Sequence, residues 1–228
     1  MELFEEYQKQ LENSWILFDD VVDMLHSLEG YRLGIISNGK SIQQRAKLSC
    51  TNIEKYFEIM HLTEKLKNNT RHSWLSSGRR ESVAEHCYRL TLMAYFMKDE
   101  FKDADIDKVI RMCMFHDIGE AFTGDIPTFE KKEKDSLKEE KIVENWIDEL
   151  PKPYKKELHE LFKEMEEQVT TEAKLYKALD RMEAVIQHNE ADIRTWLPLE
   201  YELQLSYGEK EAAFSKVTEK LKEHANND

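Results

Sequence analysis

A chain of 228 residues with a net charge of -13 argues against a broad surface for nucleic acid or an anionic membrane, although a metal and one or two arginines still reverse the sign of a small pocket. With 40% hydrophobic and 35% charged residues the chain is globular and heavily solvated, and only 7 Gly and 4 Pro favour helix over sheet. Three widely spaced cysteines, Cys50, Cys87 and Cys113, with no CxxC pair, argue against a disulfide framework or zinc knuckle and fit a reducing cytoplasm. Met1 to Gln10 is acidic and lacks the basic-then-apolar order of a signal peptide. No apolar run approaches the roughly 18 residues that span a bilayer.

Two unlike pieces follow one another, residues 1–60 and 61–228. In the first, Phe18, Val22, Leu25 and Leu28 mark a helical face that Gly30 can end. Arg32 to Ser37 reads as a short buried strand, Asn38-Gly39 as a turn, and Ser41 to Leu48 as a second helix. A lone strand completes no sheet, so this helix–strand–helix unit is an appendage. From residue 61 the pattern is helical throughout. Ser82-Val-Ala-Glu85 has the spacing of a capping box, and Val83, Cys87, Leu90, Ala94 and Met97 form the stripe behind it. The next helix is expected from about Asp105 to Phe122, broken by Thr123-Gly124-Asp125-Ile126-Pro127. Glu130 to Glu144 is a charge run that reads as a solvated helix face or a connection. Tyr154, Leu158, Leu161 and Met165 mark an amphipathic helix; Leu175, Leu179, Met182 and Ile186 mark another, and Phe214, Val217 and Leu221 a last one. The fold class is therefore mainly α.

The run Met112-Cys-Met-Phe-His116-Asp117-Ile-Gly-Glu120 carries an apolar helical pattern into an imidazole and two carboxylates. Burying those groups without partners is costly, and a divalent cation would supply the missing charge. His86 upstream and Asp180 downstream sit on their own predicted helices. The four give two nitrogen and two oxygen donors, a mixture suited to Mn²⁺, Co²⁺, Fe²⁺, Ni²⁺ or Zn²⁺. Four protein ligands in an octahedral site leave about two positions for water and a substrate oxygen. Taken singly, each residue also fits a plainer use: a hydrogen-bonded core histidine, or an aspartate in a surface salt bridge. The set is the specific signal.

Ser82-Val-Ala-Glu-His86, His116-Asp-Ile-Gly-Glu120-Ala-Phe-Thr-Gly-Asp125-Ile-Pro127 and Lys177-Ala-Leu-Asp180 together resemble the HD-domain superfamily of metal phosphohydrolases, in its 5′-deoxynucleotidase-like branch. The resemblance runs from about His61 to Tyr207. It implies an HD-domain helical bundle with one divalent metal held by His86, His116, Asp117 and Asp180. It implies Glu120 as general acid/base and Asp125 at the sugar, where it discriminates deoxyribose. Glu120 one turn after His116 also fits a hydrogen-bond partner of a ligand. Arg71-His-Ser-Trp74 is similar to the element that holds the nucleotide in that family, so Arg71 and Trp74 are expected at the substrate. Arg71 equally reads as a solvated cation, and Trp74 as core packing. The only histidine between Asp117 and Asp180 is His159, in an acidic amphipathic segment, so a single metal is expected. His188, two turns past Asp180, is placed to line the pocket; its plainer use is a core or surface residue.

Leu33 to Gly39, Gln43 to Leu48 and Ile53 to Phe57 resemble the middle of a haloacid-dehalogenase-type phosphatase. The Asp-x-Asp nucleophile motif and the later Lys and acidic motifs are missing, and that chemistry needs them together. Residues 1–60 are therefore read as a truncated fragment, with no catalytic role for Ser37, fused to a phosphohydrolase domain at 61–228. The expected activity is phosphate release from 5′-deoxynucleoside monophosphates in the cytoplasm. A non-catalytic nucleotide-binding or regulatory HD protein is the alternative. The expected partner is a small nucleotide, without extended nucleic acid or membrane. Members of the resembling family often pair, so a homodimer is also an expectation.

Overall fold

The structure is a computed structural model that describes residues 16–17, 19–27 and 54–227. The chain divides into two units, Met1–Leu62 and Thr63–Asp228. In the first, helix α1 spans Val21–Ser27. The expected strand at 32–37, the helix at 41–48 and Ser37 lie outside the described residues.

Helix α2 (Glu54–Asn68) leads to a hairpin, β1 (Thr70–Trp74) antiparallel to β2 (Arg80–Ser82). Thr70 pairs with Ser82 and Trp74 with Arg80, with an irregularity between. The turn is closed by Leu75 N–H to the Arg79 carbonyl at 2.8 Å, with Gly78 at φ +82°, a backbone region that favours glycine. This hairpin corrects the expectation of helix throughout from residue 61. Its strands are five and three residues long, too short to print a two-residue hydrophobic period.

Ser82 ends β2 and caps α3 (Val83–Phe96): its hydroxyl accepts from Glu85 N–H, and the Glu85 carboxylate accepts from Ser82 N–H, the reciprocal box expected. Val83, His86, Cys87, Leu90 and Ala94 form the buried face of α3. Asp105 caps α4 (Ile106–Phe115) by accepting from Lys108 N–H. This helix stops at Phe115, not Phe122 as the sequence pattern implied. From there the amides bond three residues back: Ile118 to Phe115 and Glu120 to Asp117, both at 3.0 Å. The tightened turn leads into the short α5 (Glu120–Thr123).

The charge run becomes α6 (Glu133–Glu149), with Val143 and Ile147 as its buried face. In α7 (Tyr154–Glu167) Leu158, Leu161 and Met165 are buried, the stripe expected. Helix α8 (Thr171–Glu190) is the central rod; Thr170 caps it, and Leu175, Leu179 and Met182 have no exposed surface. It packs on α3, α4, α7, β1 and two later helices, α10 (Glu209–Ala212) and α11 (Lys216–Asn227), the latter two after α9 (Glu200–Ser206). No helix among the described residues is long and apolar enough to cross a membrane.

A candidate metal centre between three helices

His86 lies one turn into α3, on the stripe facing α8 and α4, and is fully buried. His116 and Asp117 occupy the tight turn that ends α4. Asp180 sits midway along α8. The fold brings all four donor groups together. His86 Nε2 lies 3.2 Å from His116 Nε2 and 3.3 Å from Asp180 Oδ1. His116 Nε2 lies 3.1 Å from Asp117 Oδ2 and 3.6 Å from Asp180 Oδ1, and Asp117 Oδ2 lies 3.8 Å from His86 Nε2.

Those separations test whether an ion fits. Ligand atoms about 2.1 Å from a metal stand about 3.0 Å apart at right angles and about 3.4 Å at the tetrahedral angle. The observed gaps, 3.1 to 3.8 Å, begin just above the first value and span the second, so the donor set fits one divalent ion. The rear atoms are tethered as metal ligands require. His86 Nδ1 bonds the Glu183 carboxylate, His116 Nδ1 donates to the Cys113 carbonyl at 2.9 Å, and Asp180 Oδ2 accepts from Lys177 Nζ at 2.9 Å. The electrostatics agree. Burial opposes charge on His116, yet Asp117 and Asp180 hold its imidazolium well above the usual range. Burial likewise opposes the Asp180 carboxylate, while Lys177 and the two imidazoles hold it well below. The pocket favours a cation.

Glu120 is buried beside the cluster, and its Oε2 has no hydrogen-bond partner among the described residues. Burial, then the neighbouring Asp117 and Asp125 charges, push its carboxyl up to about 9. Asp125 is near enough to feel its charge, and burial raises the Asp125 carboxyl too. Asp125 Oδ2 also accepts from His72 N–H at 3.2 Å. Arg71 donates to Glu81 at 3.1 Å and to Glu183 at 3.3 Å, and it lines a cavity with His72, Asp125 and Phe129. Trp74 is half-buried: the Arg80 guanidinium stacks 4.3 Å from its ring centre, and its carbonyl accepts from Gln187. His72, rather than Trp74, lines the cavity beside Arg71. His159 stands apart, on Asp148.

Two carboxylates escaped the sequence reading. Glu183, without exposed surface, joins His86 to Arg71; Glu81, 1% exposed, is the second partner of Arg71. Glu183 follows Asp180 by three residues, the spacing that puts both on one helix face, and that was the available signal.

Residues 63–222 match the HD domain family. The chain belongs to that family. This HD-domain chain is 34% identical over 137 residues to the human protein named 5′-deoxynucleotidase HDDC2, covering 58% of this chain and 66% of that one. It is 32% identical over 149 residues to the bovine protein of the same name, covering 64% and 72%. The chain thus spans about two thirds of the length of these relatives. A solved structure from Magnetospirillum magnetotacticum, described as a predicted metal-dependent phosphohydrolase, shares the fold: TM-score 0.63 and 24% identity over 78% of this chain and 93% of that one. Residues 1–76 match haloacid dehalogenase-like hydrolases.

Proposed function

We propose that this HD-domain protein is a metal-dependent phosphomonoester hydrolase that releases phosphate from 5′-deoxynucleoside monophosphates. The observation that carries the reading is the set of four donors spaced for one ion, with a buried, proton-retaining carboxyl beside them. His86, His116, Asp117 and Asp180 hold the ion: one Mn²⁺, Co²⁺, Zn²⁺, Fe²⁺ or Ni²⁺. When bound, it withdraws charge from the phosphate and eases attack by water. In the hydrolysis water adds to phosphorus, the bond to the 5′ oxygen breaks, and the nucleoside leaves with a proton. Glu120 is the group that handles this proton, through its unpartnered Oε2. Asp125 orients the sugar, Arg71 faces the phosphate end, and Trp74 backs the same element. The name 5′-deoxynucleotidase carried by the relatives supports this substrate class. Residues 1–60 are a truncated haloacid-dehalogenase-like fragment preceding the hydrolase domain at 61–228. The protein acts in the cytoplasm, as a homodimer.

The test is phosphate release from dAMP, dGMP, dCMP, dTMP and dUMP with Mn²⁺, Co²⁺, Zn²⁺ or Mg²⁺. Activity that a chelator abolishes and metal restores is expected, with Asp117→Ala inactive. Tight binding of dAMP without phosphate release under any metal would replace this reading by the regulatory one.

A further inference from the structure

A second group of donors repeats the construction of the HD centre. His72 of β1, His188 near the end of α8 and Glu200 at the start of α9 come from three separate elements. His72 Nε2 and His188 Nε2 lie 2.6 Å and 2.9 Å from the same atom, Glu200 Oε1. The three donor atoms lie within 4.8 Å of one another. Glu200 is 4% exposed. Here too the rear atoms are tethered: His188 Nδ1 donates to the Ala184 carbonyl at 3.3 Å, and Glu200 Oε2 accepts from Leu197 N–H at 2.6 Å. The same two tethers, a backbone carbonyl behind an imidazole and a donor behind a carboxylate, stand behind His116 and Asp180.

A backbone carbonyl only accepts, so His188 Nδ1 carries a ring hydrogen and Nε2 is the atom turned toward Glu200 Oε1. His72 Nε2 meets the same oxygen from β1, so two imidazole nitrogens and one carboxylate oxygen from three elements converge on one point. Beside the cluster lies a cavity of about 90 Å³, lined by the three residues together with Asp125, Thr128 and Tyr207. It has room for more than one water, and therefore for the remaining positions of an ion's coordination sphere.

We propose that His72, His188 and Glu200 form a second divalent transition-metal site, with open coordination positions facing this cavity. Two imidazoles and one glutamate are a donor set that zinc takes with a position left for water. An ion at about 2.1 Å from each donor widens both nitrogen–oxygen gaps to about 3.0 Å or more, a shift of a few tenths of an ångström at the end of a flexible side chain. Its ligands are none of the HD donors, but its cavity is also lined by Arg71 and Asp125 of the proposed nucleotide site, so its test reads metal, not turnover.

The test is metal stoichiometry on the full chain, stripped with chelator and titrated with Co²⁺ alone. Calorimetry and the visible absorption of bound Co²⁺ give the readouts. Wild type is expected to take up two equivalents, Asp117→Ala one and Glu200→Gln one. The absorption that survives in Asp117→Ala should be the absorption missing from Glu200→Gln. His188→Asn, a milder change, should weaken the second equivalent at least tenfold while far-UV circular dichroism stays unchanged. A single equivalent in wild type that Glu200→Gln and His188→Asn both retain overturns the proposal. It would leave the cluster as a proton-bridged hydrogen-bond network.

Discussion

Replacing Glu120 by glutamine keeps the shape of the side chain and removes its proton. The carboxyl is raised by burial, Asp117 and Asp125 to about 9, against an ordinary value of 4.5. The sign follows from linkage: an acid raised by folding binds a proton that the unfolded chain has already released. Its contribution to stability is therefore intact below about pH 4.5 and eroded progressively as the pH rises toward 9. At about 1.4 kcal/mol per pH unit, the ceiling on that loss at pH 8 is roughly 5 kcal/mol, of which about 2 kcal/mol survives relaxation and water entry. In chelator, Glu120→Gln should exceed wild type in stability by about 2 kcal/mol at pH 8, and by less than about 1 kcal/mol at pH 5. Bound metal favours the ionised carboxylate, so it should shrink the gap at pH 8. The same variant should lose about 10²–10⁴-fold in turnover. Urea unfolding at both pH values and initial rates of phosphate release from dAMP measure the two effects. A stability gap that does not change with pH refutes the raised acid, and undiminished turnover refutes its role with the proton.

Arg71→Ala leaves Glu81 and Glu183 buried without their shared cation and should cost about 3–5 kcal/mol in urea unfolding; a loss below about 1 kcal/mol would show that the pair does not depend on it. Gly119→Ala places a methyl 2.6 Å from Glu139 Cγ and 3.0 Å from Val143 Cγ2, on ordinary helical backbone. It should destabilise by about 1–3 kcal/mol through overpacking, read as a lower thermal midpoint, with relief in the double variant that also carries Glu139→Ala. Ser82→Ala removes one half of the α3 capping box and should cost about 1 kcal/mol, whereas Ser82→Asp should recover most of it.

The four candidate donors were legible as a set because each stands where a strong periodic pattern breaks chemical character. His86 interrupts the Val83, Cys87, Leu90 stripe, and His116-Asp117 ends an apolar run. The capping box was legible for a local reason: its two partners are three residues apart. The hairpin was not, because its pairing of Thr70 with Ser82 leaves no periodic trace in so few residues. The end of α4 at Phe115 was missed because the residues beyond it remain helix-compatible; a change of hydrogen-bond step, not a breaker residue, stops the helix. Glu81 and Glu200 were invisible as partners because their meaning depends on Arg71, His72 and His188, which the fold brings in from other elements. A carboxylate among so many others carries no mark of burial in the sequence.

The groups behind the HD donors belong to the chain itself: Glu183 behind His86, the Cys113 carbonyl behind His116 and Lys177 behind Asp180. The helices that carry them have buried faces of their own, so aiming the donors draws on packing between helices, unlike a zinc finger, where chelation and collapse are one event. Treatment with chelator should therefore leave the helices folded.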